Sequence, residues 1–155
     1  MEVKKGNHCA YQIHYHLVFP VKYRKALLSE QVVEELKVIS LQIQDRYEVE
    51  IESLGCDGDH IHLLCGSHPK YAPGQLVRVY KSVTAKELFR RVPGLRVDLW
   101  GGEFWSDGYY AATVGERGDW SVVEEYVRSQ GVKKKESLQL WLFSLSYPVV
   151  SATGV

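Results

Sequence analysis

Four breaks marked by proline or glycine divide this chain, and the order of hydrophobic periods between them constrains the fold more than any other feature. The breaks are Pro20, the Gly55–Gly58 stretch, Pro73-Gly74 and Pro93-Gly94. Residues 9 to 19 are rich in Tyr, Ile, Val and Phe and predict a first strand, stopped by Pro20. Ser29 suits the N-cap of a helix running to about Arg46, with Val32, Leu36, Ile39 and Ile43 on one stripe. Val49 to Leu54 alternates acidic with mostly apolar residues, as a half-buried strand does, and the glycine-marked turn leads into a further strand holding His60 and His62. A second helix is predicted after Pro73-Gly74, ending near Arg91, and Tyr109 to Val114 is predicted as a fourth strand. Asp119 or Ser121 then caps a third helix to about Gln130, stopped by Gly131. Strand, helix, strand, strand, helix, strand, helix is an α+β order. It predicts a ferredoxin-like (split βαβ) antiparallel sheet with helices packed on one face, followed by a C-terminal helix.

With 155 residues the chain is long enough to bury one real core. We place a single domain at 1–136 and an uncharged tail at 137–155, where Pro148 and scattered serines make a poor membrane span. No charged segment followed by an apolar one opens the chain. Cys9, Cys56 and Cys65 have no paired spacing, so a reducing, cytoplasmic setting with free thiols is expected. The formal net charge is zero, which argues against a surface that grips nucleic acid all over. Charge is instead local. Lys22, Arg24 and Lys25 cluster, and residues 75 to 91 carry five basic residues against one acidic, a pattern that fits either a groove for a polyanion or ordinary solvated faces.

Two strands carry paired histidines, His14 with His16 and His60 with His62. Residues i and i+2 of a strand point to one face, about 6.6 Å apart, so either pair can converge on a metal ion from a rigid support. In the second pair Ile61 and Leu63 would project into the helix-covered core. Hydrogen-bonded structural histidines are the competing explanation, and spacing alone does not choose between the pairs. On the last predicted helix Tyr126 and Gln130 lie four residues apart, hence on one face. A tyrosine hydroxyl is a feasible nucleophile and a glutamine amide oxygen is a neutral, hard ligand, although an isolated helical tyrosine is more often a packing residue. Two imidazoles and an amide would leave a divalent ion its full charge for polarising a phosphate oxygen.

Four stretches, YHLVFPVKYR at 15–24, DHIHLL at 59–64, LWGGEFWSDGYYAATVG at 99–115 and EEYVRSQ at 124–130, resemble the single-tyrosine HUH transposases of the smallest bacterial and archaeal insertion sequences. The resemblance runs through most of residues 11 to 130. It implies that His60 and His62 are the metal-binding pair, that Tyr126 is the nucleophile and that Gln130 is the third ligand. His14 and His16 belong to the first-strand motif, for which it implies no ligand pair, so they are expected to be structural or near the DNA. It further implies a divalent magnesium or manganese ion and cleavage of single-stranded DNA beside hairpins through a 5′-phosphotyrosine. It also implies a homodimer in which each tyrosine helix completes the partner's site. Gly115 and Gly118, flanking the start of that helix, would permit the movement. The tail after Lys135 has no counterpart in this pattern.

DNA contacts are expected from Lys22 and Arg24 and from the basic helix face bearing Arg78, Lys81, Lys86 and Arg90, through phosphates rather than bases. Trp100, Trp105, Tyr109 and Tyr110 are candidates for stacking on unpaired bases, with core packing the stronger expectation for most. Two other functions share much of this pattern. One is a non-catalytic nucleic-acid-binding module, which would make no covalent adduct with DNA. The other is a different HUH nickase of the replication-initiator or relaxase kind.

Overall fold

The computed structural model describes residues 2–115. The predicted helix bearing Tyr126 and Gln130, together with Gly118 and the 137–155 tail, lies outside the described residues. A four-stranded antiparallel sheet is formed by β3 (His14–Pro20), β4 (Val49–Asp57), β5 (His60–Ser67) and β6 (Tyr110–Thr113), in the spatial order β4-β5-β3-β6. Helix α1 (Glu30–Arg46) connects β3 to β4, and α2 (Pro73–Arg91) with a short α3 (Leu95–Asp98) connects β5 to β6. This is the ferredoxin-like arrangement, and the α+β expectation holds.

The start of α1 follows from its cap: Val32 N–H donates to Ser29 Oγ at 3.3 Å. Its stripe, Val32, Leu36, Ile39 and Ile43, is buried as the 3.6-residue period requires. Pro73 opens α2, where a missing N–H is harmless, and Gln75 Oε1 accepts from Ala72 N–H at 2.7 Å. Leu76, Val77, Tyr80, Leu88 and Phe89 form the buried side of α2. Both helices pack with Leu17 and Phe19 of β3 and Ile61, Leu63 and Cys65 of β5 in one apolar cluster, so both cover the same face of the sheet. A hydrogen bond of 2.9 Å between Ser40 and Tyr80 hydroxyls joins the helices within it.

Three boundaries differ from the sequence expectation. The single strand expected over residues 9 to 19 is two: Cys9–Tyr11 forms β2, pairing with β1 (Lys4–Gly6) in a separate hairpin, and only His14–Pro20 joins the main sheet. β4 continues past Leu54 to Asp57, and the turn shrinks to Gly58-Asp59, with a φ of 58° at Gly58 that suits glycine. Finally, α3 was not anticipated. Among the described residues no helix is long and apolar enough to cross a membrane. Cys9, Cys56 and Cys65 are all free thiols.

Candidate active site

The strand β5 separates its side chains cleanly. Its pairing with β3 sets His60 against Pro20 and His62 against Val18, while His16 lies opposite Leu64 and His14 opposite Gly66. Residues directly opposite share a face, so all four histidines project from the side of the sheet away from the helices. Ile61, Leu63 and Cys65 project into the apolar cluster, as the alternation predicts.

His60 and His62 are both fully buried, with ring centroids 5.2 Å apart. His60 Nδ1 is 2.8 Å from Asp59 Oδ1. A carboxylate only accepts, so the shared proton resides on Nδ1, and in the neutral imidazole Nε2 then carries the lone pair. That Nε2 is buried and has no hydrogen-bond partner among the described residues. Burying a bare acceptor is costly unless something binds it, and a carboxylate behind the distal nitrogen is the usual support of a metal-ligating histidine. Judged by its donor chemistry, His60 fits a divalent ion. Among the described residues no group of three His, Cys, Asp or Glu side chains is placed to hold one.

Asp59 is itself held. Its backbone carbonyl accepts from Val21 N–H at 2.8 Å, and Arg24 Nη2 stands 3.5 Å from its Oδ2, an ion pair without hydrogen-bond alignment. The turn that delivers Arg24 is unusual. Tyr23 (φ 59°) and Arg24 (φ 53°) are consecutive non-glycine residues in the left-handed region, and Tyr23 is 70% exposed.

His62 has a different neighbour. Its Nδ1 lies 3.0 Å from His16 Nε2, and the two rings meet edge to edge, with centroids 5.2 Å apart and planes 21° from parallel. Burial pushes the His16 imidazole down to about 4, which keeps it neutral at ordinary pH. Further along the face, His14 Nδ1 is 2.6 Å from Glu52 Oε1. A bulge between Ile51 and Ser53 leaves Glu52 opposite no residue of β5. Gly66 makes room for this pair: a Cβ there would stand 3.1 Å from Glu52 Oε1.

The six candidate DNA-binding cations divide into two sets. Lys22 Nζ is 2.7 Å from Glu103 Oε2, Arg24 faces Asp59, and Arg90 Nε donates to Glu87 at 2.6 Å. Lys81 Nζ donates to the carbonyls of Ser106, Asp107 and Gly108 at 2.7, 3.2 and 3.0 Å, and burial lowers its pKa. Arg78 and Lys86 are exposed and have no ion-pair partner among the described residues. Arg78 and Lys81 line a groove with Trp105, Asp107 and Tyr109. Of the aromatic candidates, Trp105 is a core residue whose Nε1–H donates to Thr84 Oγ1 at 2.9 Å, whereas Trp100 (86%) and Tyr109 (48%) are exposed. Tyr110 stands edge-on to His16 at 6.1 Å.

Sequence reasoning gave no role to Asp59, Arg24 or His16 around the His60–His62 pair. Asp59 was findable, since it adjoins His60 in the DHIHLL stretch. The contact of His16 with His62 depends on the register between strands 46 residues apart, which no local pattern encodes.

Comparison with known proteins places the chain in a family. The family model described as "Transposase IS200 like" matches residues 9–130. The ISDra2 transposase TnpA of Deinococcus radiodurans is 34% identical over 134 residues, covering 86% of this chain and 95% of that protein. The transposase for insertion sequence element IS200 of Salmonella typhimurium is 28% identical over 147 residues, covering 95% and 93%. A crystal structure of a Deinococcus radiodurans R1 protein described as a transposase superposes with a TM-score of 0.67 at 31% identity, covering 82% of this chain and 97% of that one. A REP-associated tyrosine transposase bound to a REP hairpin shares the fold, with a TM-score of 0.53 at 12% identity over 74% of this chain and 64% of that one.

Proposed function

This chain belongs to the IS200-like transposase family, and we propose that as a transposase it cleaves and rejoins single-stranded DNA at insertion-sequence ends through a 5′-phosphotyrosine. The observation that carries this reading is His60, whose buried Nε2 lacks a hydrogen-bond partner among the described residues while Asp59 holds the proton on Nδ1. His60, His62 and Gln130 are the proposed ligands, and a magnesium or manganese ion held there would supply charge to polarise a phosphate oxygen.

Tyr126 is the proposed nucleophile. Its phenolic oxygen bonds to phosphorus, the bond from phosphorus to the 3′ oxygen breaks, and that oxygen leaves as a 3′ hydroxyl carrying a proton. Rejoining reverses the exchange: a 3′ hydroxyl attacks the phosphotyrosine and the phenol is released. One ester replaces another, so no nucleotide cofactor is consumed. Arg78 and Lys86 are the exposed cations of α2 without an ion-pair partner among the described residues, available to the phosphates of a hairpin, the kind of partner seen bound to the REP-associated transposase that shares the fold.

Incubating the protein with single-stranded DNA carrying the element's hairpin ends, with Mg2+ or Mn2+, tests this on a denaturing gel. A covalent adduct is expected from the wild type and none from Tyr126→Phe. A wild type that binds the hairpin without ever forming an adduct would instead identify a binding module. The proposed homodimer has composite sites, so mixing Tyr126→Phe with His60→Ala chains should restore cleavage that neither shows alone. Confirmed heterodimers that stay inactive would mean that each chain builds its own site.

A further inference from the structure

We propose that His16 is a positioning residue whose Nε2 accepts the Nδ1 proton of His62 and thereby holds His62 in the neutral tautomer whose Nε2 can bind a metal ion. This rests on the reading of His60 and His62 as the ligand pair. The nitrogens are 3.0 Å apart and His16 is only 7% exposed, so the contact is a buried hydrogen bond. Only one proton lies between two neutral imidazole nitrogens at that distance. If it belongs to His62 Nδ1, His62 Nε2 carries a lone pair. If it belongs to His16 Nε2, the proton of His62 must reside on its own Nε2, and that nitrogen cannot ligate. A ligand role for His62 therefore requires His16 to accept.

The two ligands are supported unequally. Asp59 can only accept, so it fixes His60 in one tautomer whether or not metal is present. His16 can accept or donate, so it fixes His62 only by keeping its own proton on Nδ1. The diagonal placement follows from the strand register, with Val18 rather than His16 directly opposite His62. Packing alone would explain two neighbouring rings with centroids 5.2 Å apart, and the test must separate packing from acceptance.

The test is Mn2+ binding to the full chain without DNA, followed by electron paramagnetic resonance, for wild type, His62→Ala, His16→Phe and His16→Gln. Phenylalanine keeps a planar ring at this position but accepts no hydrogen bond, whereas the glutamine amide oxygen accepts one. His16→Phe should bind Mn2+ about 10–100-fold more weakly, the usual effect of losing such a support, and His16→Gln should recover most of that loss. Wild-type affinity in His16→Phe, with His62→Ala impaired, would overturn the role of His16 and leave the ligand pair intact. Equal weakening in the phenylalanine and glutamine variants would reduce His16 to packing. Unaltered binding in His62→Ala would overturn the ligand reading and this inference with it. Should His16→Phe fail to fold, 15N spectra of the Mg2+-loaded wild type decide the matter: a proton on His62 Nδ1 is expected, and one on Nε2 refutes the proposal.

Discussion

The two faces of β5 are equally buried, but only one, which also holds Leu64, carries histidines. Ile61, Leu63 and Cys65 enter the apolar cluster, where burial alone stabilises them, and it pushes the Cys65 thiol up to about 12. His60 and His62 alternate with them along the same strand and are as deeply buried, yet each needs a specific partner to be tolerated there. One face is a non-directional adhesive. The other is a set of directed hydrogen bonds. The lesson is that loss of stability and loss of metal affinity should be separable by substituting adjacent residues of one strand.

The largest expected effect is on the apolar face. Leu63→Ala should lower unfolding free energy by about 2–5 kcal/mol in denaturant titrations, through lost transfer energy and a residual cavity. Mn2+ affinity of the folded fraction should stay near that of the wild type, and a large drop there would show that the faces are coupled.

A somewhat smaller effect concerns pH on the opposite face. The folded His16 titrates near 4 and its unfolded form near 6.5. The unfolded state thus binds the extra proton first, and stability falls as pH drops from about 6.5 toward 4. The full loss is about 3 kcal/mol, and it levels off below the folded value. Metal-free wild type compared with His16→Phe across that window reads it directly, and parallel curves would break the assignment.

Asp59→Asn should weaken Mn2+ binding about 10–100-fold, or about 1.4–2.7 kcal/mol, because an amide can present a donor to His60 Nδ1 and release its tautomer. Thermal unfolding without metal should change less than in Leu63→Ala. The smallest effect is expected away from both faces, at the α1 cap. Ser29→Ala should cost about 1 kcal/mol of stability and leave metal affinity alone.

The alternation around His60 and His62 made both faces of β5 legible, and the stripe and cap of α1 were equally plain. Those features are local, recurring every two or four residues. The split of residues 9 to 19 was not legible because the stretch reads as one run, and only the pairing of His14 with Gly66, far along the chain, separates it from the local hairpin of Cys9–Tyr11 with Lys4–Gly6. Contact between His16 and His62 was hidden for the same reason. Basic residues were visible as a cluster, but nothing local showed that Lys81 caps three carbonyls while Arg78 is exposed. The proposed roles of Tyr126 and Gln130 rest on their four-residue spacing and on the family resemblance.

The turn through Tyr23 and Arg24 separates a stability optimum from the native sequence. A left-handed conformation costs a non-glycine residue about 1–2 kcal/mol, and Tyr23, being largely exposed, has little packing to offset it. Glycine removes that penalty and gives back part of the gain as unfolded-state freedom. Selection for heat resistance alone should therefore favour Tyr23→Gly, a modest gain of at most about 1 kcal/mol. The same exchange would loosen the backbone that aims Arg24 at Asp59. An engineer seeking a hardier enzyme would reach this turn early, and would be trading away the rigidity of the support behind His60.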